Sequence, residues 1–206
     1  MERPDLPVKG ETELFRDFFQ ERTVPYDSVE DLAEVLIPAD RIMQRVKELG
    51  TEISRDYDGK DMVLAGVLRG ASFFLTDLAR AISLPLSIDF ISISSYGPAT
   101  KASGVVSIRK DLDESVGGRH LLLVEDIVDT SLTLSYLLQI LRARQPASLQ
   151  VCTFLDRRPQ RIIDLPIAYR GFEIPETFVV GYGLDYNQRY RNLPCIGVLK
   201  PELMAG

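Results

Sequence analysis

Short, continuous apolar runs alternate along this chain with segments in which apolar residues recur at helical spacing. Continuous runs are typical of parallel strands that are covered on both faces and therefore need not alternate. They predict strands at residues 62–68, 86–94, 121–124, 149–155, 178–182 and 196–199, with weaker strand patterns at 104–108 and within 162–169.

Helices are predicted between these strands. The first begins at 38–40, presents Ile42, Met43, Val46 and Leu49 on one face, and ends at Gly50. The second covers 71–82, and the third runs from the hydroxyl-rich segment near residue 131 to Arg144. Strands that alternate with helices imply an α/β fold, a mostly parallel twisted sheet flanked by helices.

The stretch 121–134 carries the densest candidate chemistry. Its buried strand ends in Glu125 and Asp126, and Asp129 and a hydroxyl cluster precede the third helix. Helix N-termini bind phosphate because their first N–H groups have no intrahelical partner and the helix dipole is positive there. Carboxylates beside such a cradle indicate a sugar phosphate together with a metal ion. The alternative is an ordinary strand–turn–helix in which Asp and Thr only cap the helix.

Other strand ends carry polar residues too. They are Arg69-Gly70, Ser95-Tyr96, Asp156-Arg157 and Asp185. In parallel sheets the ligand lies outside the carboxyl ends of the strands, so these residues are expected to converge. The polar segment 97–110 is either a lid over that site or a β-hairpin with a solvated tip.

Composition narrows the setting of the chain. Its 206 residues suit a single domain at 32–206, preceded by an acidic, proline-containing arm at 1–31 that we expect to be partly disordered. That arm is either a solvated tail or a contact to another subunit. A net charge of -6 argues against a general affinity for nucleic acid. Cys152 and Cys195 are expected to be free thiols in a cytoplasmic protein, and no run predicts a signal peptide or a membrane span.

These motifs resemble a known family. Residues 124–133, V-E-D-I-V-D-T-S-L-T, resemble the phosphoribosyl-diphosphate motif of type I phosphoribosyltransferases. The segments 68–70, 95–97, 171–175 and 178–186 narrow the resemblance to the hypoxanthine(-guanine) phosphoribosyltransferases. The resemblance covers the chain from about residue 38 onward. It implies the type I fold, with a small hood formed by the terminal segments.

The resemblance also implies an activity. This is the Mg²⁺-dependent transfer of ribose 5-phosphate from 5-phospho-α-D-ribose 1-diphosphate to a 6-oxopurine, with release of pyrophosphate. Asp129 would be the general acid/base at purine N7. The phosphoribosyl group would lie on Glu125, Asp126, Ile127, Val128, Asp129, Thr130, Ser131, Leu132 and Thr133. A homodimer or homotetramer is also implied.

The remaining roles follow from the same resemblance. Arg69, Gly70 and Arg191 would bind pyrophosphate, in a loop where the family often has a non-proline cis peptide. The base would contact Arg157, Phe178, Val179 and Asp185, and Ser95 and Tyr96 would belong to a lid loop. Glu125, Asp126 and Asp185 would hold Mg²⁺. Arg69 could instead be a solvated charge, and Phe178 could be plain core packing.

Departures from the family pattern concern two residues above all. Arg157 stands where many members have Lys, and its planar guanidinium changes the contact geometry to a base. Ser131 replaces the usual Gly of the phosphate loop, which matters if that position needs a positive φ. Two other functions stay open at this point: a nucleotide-sensing RNA-binding regulator on the same fold, and a phosphoribosyltransferase for xanthine or a pyrimidine.

Overall fold

The computed structural model describes residues 30–95 and 106–204. Its main sheet has six strands in the order β4-β3-β2-β5-β6-β7. A second, three-stranded sheet has the order β1-β9-β8. The strands are β1 (Leu32–Ile37), β2 (Met62–Leu68), β3 (Leu86–Ser95), β4 (Val106–Lys110), β5 (His120–Val128), β6 (Ser148–Asp156), β7 (Tyr169–Glu173), β8 (Val179–Val180) and β9 (Ile196–Leu199).

The main sheet is parallel except at one edge. Strands β3, β2, β5, β6 and β7 run in the same direction, and only β4 pairs antiparallel, with β3. The helices are α1 (Ala39–Asp56), α2 (Ala71–Ala81) and α3 (Leu132–Arg142). The predicted fold class, a mostly parallel sheet flanked by helices, is therefore confirmed.

Strand β5 shows why its sequence does not alternate. Leu122 and Val124 pack in the core formed with α1 and α2. Leu121 and Leu123 face the other way, into the core formed with α3. Both faces are dry, so apolar residues are favoured at every position, and each fully buried leucine contributes about 1.5–3 kcal/mol of hydrophobic free energy.

The three-stranded sheet joins the two ends of the described chain and corresponds to the predicted hood. Asp31, just before β1, accepts hydrogen bonds from the Tyr190 hydroxyl at 2.8 Å and, through its carbonyl, from the Lys200 amide at 3.0 Å. Among the residues described, no helix is long and apolar enough to cross a bilayer. The predicted arm lies almost wholly outside the described residues, as does Tyr96 of the predicted lid loop.

Several predicted boundaries are wrong. No strand is predicted from the sequence at β1, Leu32–Ile37, which directly follows the predicted arm. The strand sought within 162–169 begins only at Tyr169, and the strand predicted at 178–182 is confined to Val179–Val180. Helix α1 continues past Gly50 to Asp56. Gly50 is thus not a C-cap but the point where α1 approaches α2, because a Cβ there would lie 2.5 Å from the Ala81 carbonyl oxygen.

Gly50→Ala tests this close approach by the sign of its effect. Alanine stabilises an exposed helix position by about 1 kcal/mol relative to glycine. At Gly50 we expect the opposite, a loss of about 1–3 kcal/mol in unfolding free energy from overpacking, measured by urea denaturation. Gly117→Ala is the control, because its Cβ would meet only ordinary contacts at 3.5 Å. A stabilising Gly50→Ala would contradict the packing described here.

Candidate active site

The candidate site lies where β2, β5 and β6 end. The pairing register brings Gly66 of β2 beside Val124 of β5, and Val128 of β5 beside Asp156 of β6. Glu125 and Asp126 near the end of β5 therefore share one edge of the sheet with Arg69 and Arg157, which directly follow β2 and β6. His120 lies at the other end of β5, where its Nδ1 is 2.8 Å from Ser148 Oγ.

Glu125 and Asp126 are a carboxylate pair held largely away from water. Burial, and secondarily the charge of Asp126, raises the pKa of Glu125 well above its usual value. Burial also raises the pKa of Asp126 to about 6, against a hydrogen bond from the Ile127 amide. Arg191 lowers that pKa and Asp185 raises it, so both side chains lie within electrostatic reach of Asp126.

Glycine makes room for this carboxylate. A Cβ on Gly70 would lie 1.5 Å from Asp126 Oδ2, so the loop after β2 rests directly on the side chain. Gly183 has a φ of +100°, and a Cβ there would lie 2.0 Å from the Gly70 carbonyl oxygen. Three segments far apart in sequence are thus in direct contact. The Leu68–Arg69 peptide bond at this point is cis, as the family resemblance implies.

The segment after β5 is the stretch for which the sequence predicts a phosphate loop. Helix α3 begins at Leu132, and its first amides have no intrahelical partner. Ser131 has φ +66° and ψ 0°, so the position adopts the left-handed conformation that favours glycine. Its Oγ is buried without a hydrogen-bond partner in the described part of the chain. The Thr130 carbonyl accepts a hydrogen bond from the Ile162 amide at 3.0 Å.

Asp129 faces the loop that follows β6. Its Oδ2 lies 3.7 Å from Arg157 Nη1, and its Oδ1 is buried without a hydrogen-bond partner among the described residues. The Arg157 amide donates to the Val128 carbonyl at 2.9 Å, which fixes the start of that loop beside β5. The Arg157 guanidinium also donates to the Thr177 carbonyl. Arg157 therefore links the candidate acid/base to the segment that leads into Phe178.

Phe178 is not a core residue. Its side chain is 43% exposed, whereas Val179 beside it is buried. The Phe178 ring meets Tyr186 edge to face at 5.8 Å between centroids. This leaves an aromatic surface available to a flat ligand, and the alternative of plain core packing is wrong.

Arg69 and Arg191 converge on one side chain that the sequence did not point to. Gln188 Oε1 accepts from Arg69 Nη1 at 2.9 Å and from Arg191 Nη2 at 3.3 Å. Arg191 also pairs with Asp185 Oδ1 at 2.5 Å and donates to the Gly183 carbonyl at 2.6 Å. Gln188, Thr177 and Tyr186 were all missed by sequence reasoning. The signal for Gln188 was its position between Asp185 and Arg191.

The acidic residues do not by themselves form a preorganised metal cage. Within the ranges described, no group of three or more His, Cys, Asp or Glu side chains is arranged to hold a metal ion.

The strand part of the predicted lid loop ends at Ser95, and Tyr96 lies outside the described residues.

Comparisons with known proteins point to one family. A family model described as "Phosphoribosyl transferase domain" matches residues 36–187. The hypoxanthine-guanine phosphoribosyltransferase of Mycobacterium avium is 51% identical over 179 residues, which are 84% of this chain and 88% of that protein. The Bacillus subtilis enzyme of the same name is 50% identical over 173 residues, 84% and 96% of the two chains.

Solved structures give the same assignment. A crystal structure of a hypoxanthine phosphoribosyltransferase from Staphylococcus aureus superposes with a TM-score of 0.85 at 44% identity, covering 88% of this chain and 100% of that one. The matches extend over the sheet, the helices and the strand ends that carry the candidate site. The chain therefore belongs to the phosphoribosyltransferase family and, within it, to the hypoxanthine-guanine phosphoribosyltransferases.

Proposed function

We propose that this chain salvages purines by transferring ribose 5-phosphate from 5-phospho-α-D-ribose 1-diphosphate to hypoxanthine and guanine. The products would be IMP or GMP and pyrophosphate. The observation that carries the proposal is the pair formed by buried Glu125 and partly buried Asp126 next to the N-terminus of α3, in a chain about half identical to enzymes named for this activity.

The 5′-phosphate would rest on the amides at the start of α3. Leu132 and Thr133 lie in the first turn of α3, where the amides have no intrahelical partner, and the hydroxyls of Thr130 and Thr133 would add donors. No basic side chain is required, because the unpartnered amides and the helix dipole already favour an anion. This location would also place the ribose above the end of β5, where Glu125 and Asp126 would meet its 2′- and 3′-hydroxyls.

The residues at this edge fit a magnesium ion. Glu125 and Asp126 offer only oxygen donors, and in residues 30–95 and 106–204 neither forms an ion pair with a lysine or arginine. Their raised pKa values reflect buried negative charge that a cation would relieve. Mg²⁺ commonly takes few protein ligands and completes its shell with phosphate oxygens and water, so a three-residue cage is not needed. Bound there with help from Asp185, it would neutralise charge on the leaving diphosphate.

The purine would stack on Phe178 and present its 6-oxo group to Arg157. Its edge would lie along the Val179 backbone. Asp129, held by Arg157 at 3.7 Å, would exchange the proton at purine N7. Cleavage at C1′ builds positive charge on the ribose, and the carboxylates of Glu125 and Asp126 would stabilise it. The lid role of Ser95 and Tyr96 stays a prediction.

Two wider inferences concern the cellular setting and the assembly of the protein. Cys152 and Cys195 are both buried free thiols, which supports a reducing, cytoplasmic setting. Assembly into a homodimer or homotetramer stays a prediction from the family resemblance, to be checked by the mass of the particle in solution.

The activity itself is tested with purified protein, Mg²⁺ and the diphosphate donor. Hypoxanthine and guanine should give mononucleotide, and xanthine and adenine should give much less.

Asp129→Asn should lower kcat by about 10²–10⁴ because a positioned proton-transfer group is lost. Asp164→Asn is the matched control, since that carboxylate is 100% exposed. Absence of turnover with every base would refute the proposal, and a fully active Asp129→Asn would remove Asp129 from the acid/base role.

The pH dependence of donor binding follows from Asp126. Its pKa is raised to about 6, so below that pH the carboxyl becomes neutral and loses its attraction for Mg²⁺. The KM for the donor should therefore rise as the pH falls below 6, by up to about tenfold per unit for one proton. Asp126→Asn should weaken donor binding at neutral pH and flatten this part of the profile. An unchanged profile in that variant would show that Asp126 does not bind the metal–donor complex.

The raised pKa of Asp126 has the opposite effect on stability: it stabilises the folded protein at low pH, where donor binding is weakened. The folded state holds the Asp126 proton more tightly than the unfolded state, whose pKa is near 3.8. Its stabilising contribution is complete below about pH 4 and is lost as the pH rises through about 6. Unfolding measured without ligand should show this trend in the difference between wild type and Asp126→Asn.

Ser131→Gly tests the backbone of the phosphate loop. A non-glycine residue in the left-handed region costs about 1–2 kcal/mol, partly offset by the greater entropy of glycine in the unfolded chain. We expect a net gain of about 1 kcal/mol in unfolding free energy, together with unimpaired donor binding. Ser131→Ala is the control, because it removes the buried hydroxyl but keeps a Cβ at φ +66°. A less stable Ser131→Gly would show that the hydroxyl has a partner that offsets the strain.

A further inference from the structure

Arg69 and Arg191, to which the family resemblance gives pyrophosphate binding, share one neutral acceptor. Arg69 Nη1 and Arg191 Nη2 both donate to Gln188 Oε1, at 2.9 and 3.3 Å. Arg69 follows β2 and Arg191 follows β8. The two residues are therefore far apart in sequence and are brought together by the fold. Like-charged guanidinium groups repel each other, and a shared oxygen is what holds them together before any anion arrives.

The turn that carries Gln188 fixes the position of its side chain. Gln188 and the preceding Asn187 have φ of +65° and +51°, both in the left-handed region. The backbone amide of Gln188 donates to Asp185 Oδ2 at 2.8 Å, and the other oxygen of that carboxylate pairs with Arg191. Tyr186 and Arg189 bridge the base of the turn through backbone hydrogen bonds at 3.3 and 3.0 Å. The amide oxygen is therefore placed by the same turn that positions Asp185 and Arg191.

The charge of the acceptor matters more than its shape. Arg191 already has one anionic partner, Asp185, while the hydrogen bond that Arg69 makes to a side chain in the described ranges goes to the neutral Gln188. A carboxylate at position 188 would form stronger, charge-assisted bonds with both arginines and cancel part of their positive charge. An amide orients them and leaves that charge for an incoming anion, whose oxygens can replace Oε1 as acceptor.

We propose that Gln188 is a positioning residue for the pyrophosphate half of the donor. It holds Arg69 and Arg191 close to each other without adding a negative charge beside them. The inference rests on the proposed function, because it takes these arginines as pyrophosphate ligands. It predicts that position 188 sets the affinity for the diphosphate and for released pyrophosphate, and leaves base binding alone.

The decisive comparison is Gln188→Glu against Gln188→Ala. Glutamine and glutamate side chains are nearly identical in shape. If Gln188 had a purely structural role, Gln188→Glu would be as stable and as active as wild type. We expect it to keep its thermal stability and yet bind pyrophosphate with Mg²⁺ at least about tenfold more weakly, because both arginines are then paired. Gln188→Ala should weaken binding less, by about three- to tenfold, since the arginines lose orientation but keep their charge.

Isothermal titration with Mg²⁺ and pyrophosphate gives the affinity without turnover. Initial rates then give the KM for the donor, which should rise in parallel, while the KM for hypoxanthine stays within about twofold of wild type. Gln44→Ala is the control, because Gln44 is exposed on α1 and its side chain, among the residues described, hydrogen-bonds only Glu48, at 2.9 Å. Pyrophosphate affinity equal to wild type in Gln188→Glu would overturn the inference.

The two levels of failure can be separated. If wild type neither binds pyrophosphate nor converts hypoxanthine, the proposed function itself fails. If wild type does both and Gln188→Glu matches it, only the role of Gln188 fails. A variant that changes the KM for hypoxanthine as strongly as that for the donor would show a general disturbance of the site and would also refute the inference.

Discussion

Two neighbouring carboxylates stand at the end of a strand that is dry on both faces, and the rest of the site is arranged around that constraint. Burial alone would drive Glu125 and Asp126 toward their neutral forms, as the raised pKa values show. Within residues 30–95 and 106–204, no lysine or arginine forms an ion pair with either carboxylate. Gly70 rests directly on Asp126 instead, and Gly183 packs against Gly70.

Separate segments of the chain supply the groups that are proposed to bind the phosphate, the pyrophosphate and the base. The turn from β5 into α3 offers amides for a phosphate, and the loops around Arg69 and Arg191 offer two guanidinium groups. The Arg157 loop and Phe178 form a third surface, with Arg157 touching both Asp129 and the Thr177 carbonyl. These segments come from distant parts of the chain, so their geometry depends on the sheet order β2-β5-β6 that brings the strand ends together.

Much of this could be predicted from sequence because the signals are local. Continuous apolar runs gave the central strands, and the acidic and hydroxyl residues after β5 indicated a phosphate loop. Ser131 is an instructive case: its departure from glycine raised the question of a positive φ, and the value of +66° answers it. Phe178 could not be decided in this way, because an exposed aromatic and a buried one have the same local pattern.

The features that were missed depend on tertiary contacts. Gly50 looked like a helix end, and only the approach of Ala81 explains a glycine in mid-helix. Strand β1 is short and finds its partner β9 at the far end of the chain. Gln188 is one polar residue among several in its turn, and its role emerges only when Arg69 arrives from β2.

The central claim is that a cation with its sugar diphosphate relieves the buried charge of Glu125 and Asp126. Proton release on donor binding tests it most directly, by calorimetry near pH 6 in buffers of different ionisation enthalpy. If the claim is right, binding of the donor with Mg²⁺ at pH 6 should release up to about half a proton more from wild type than from Asp126→Asn, because a carboxyl whose pKa is about 6 is half protonated at that pH and must ionise to bind. Equal proton release by the two proteins would contradict the account.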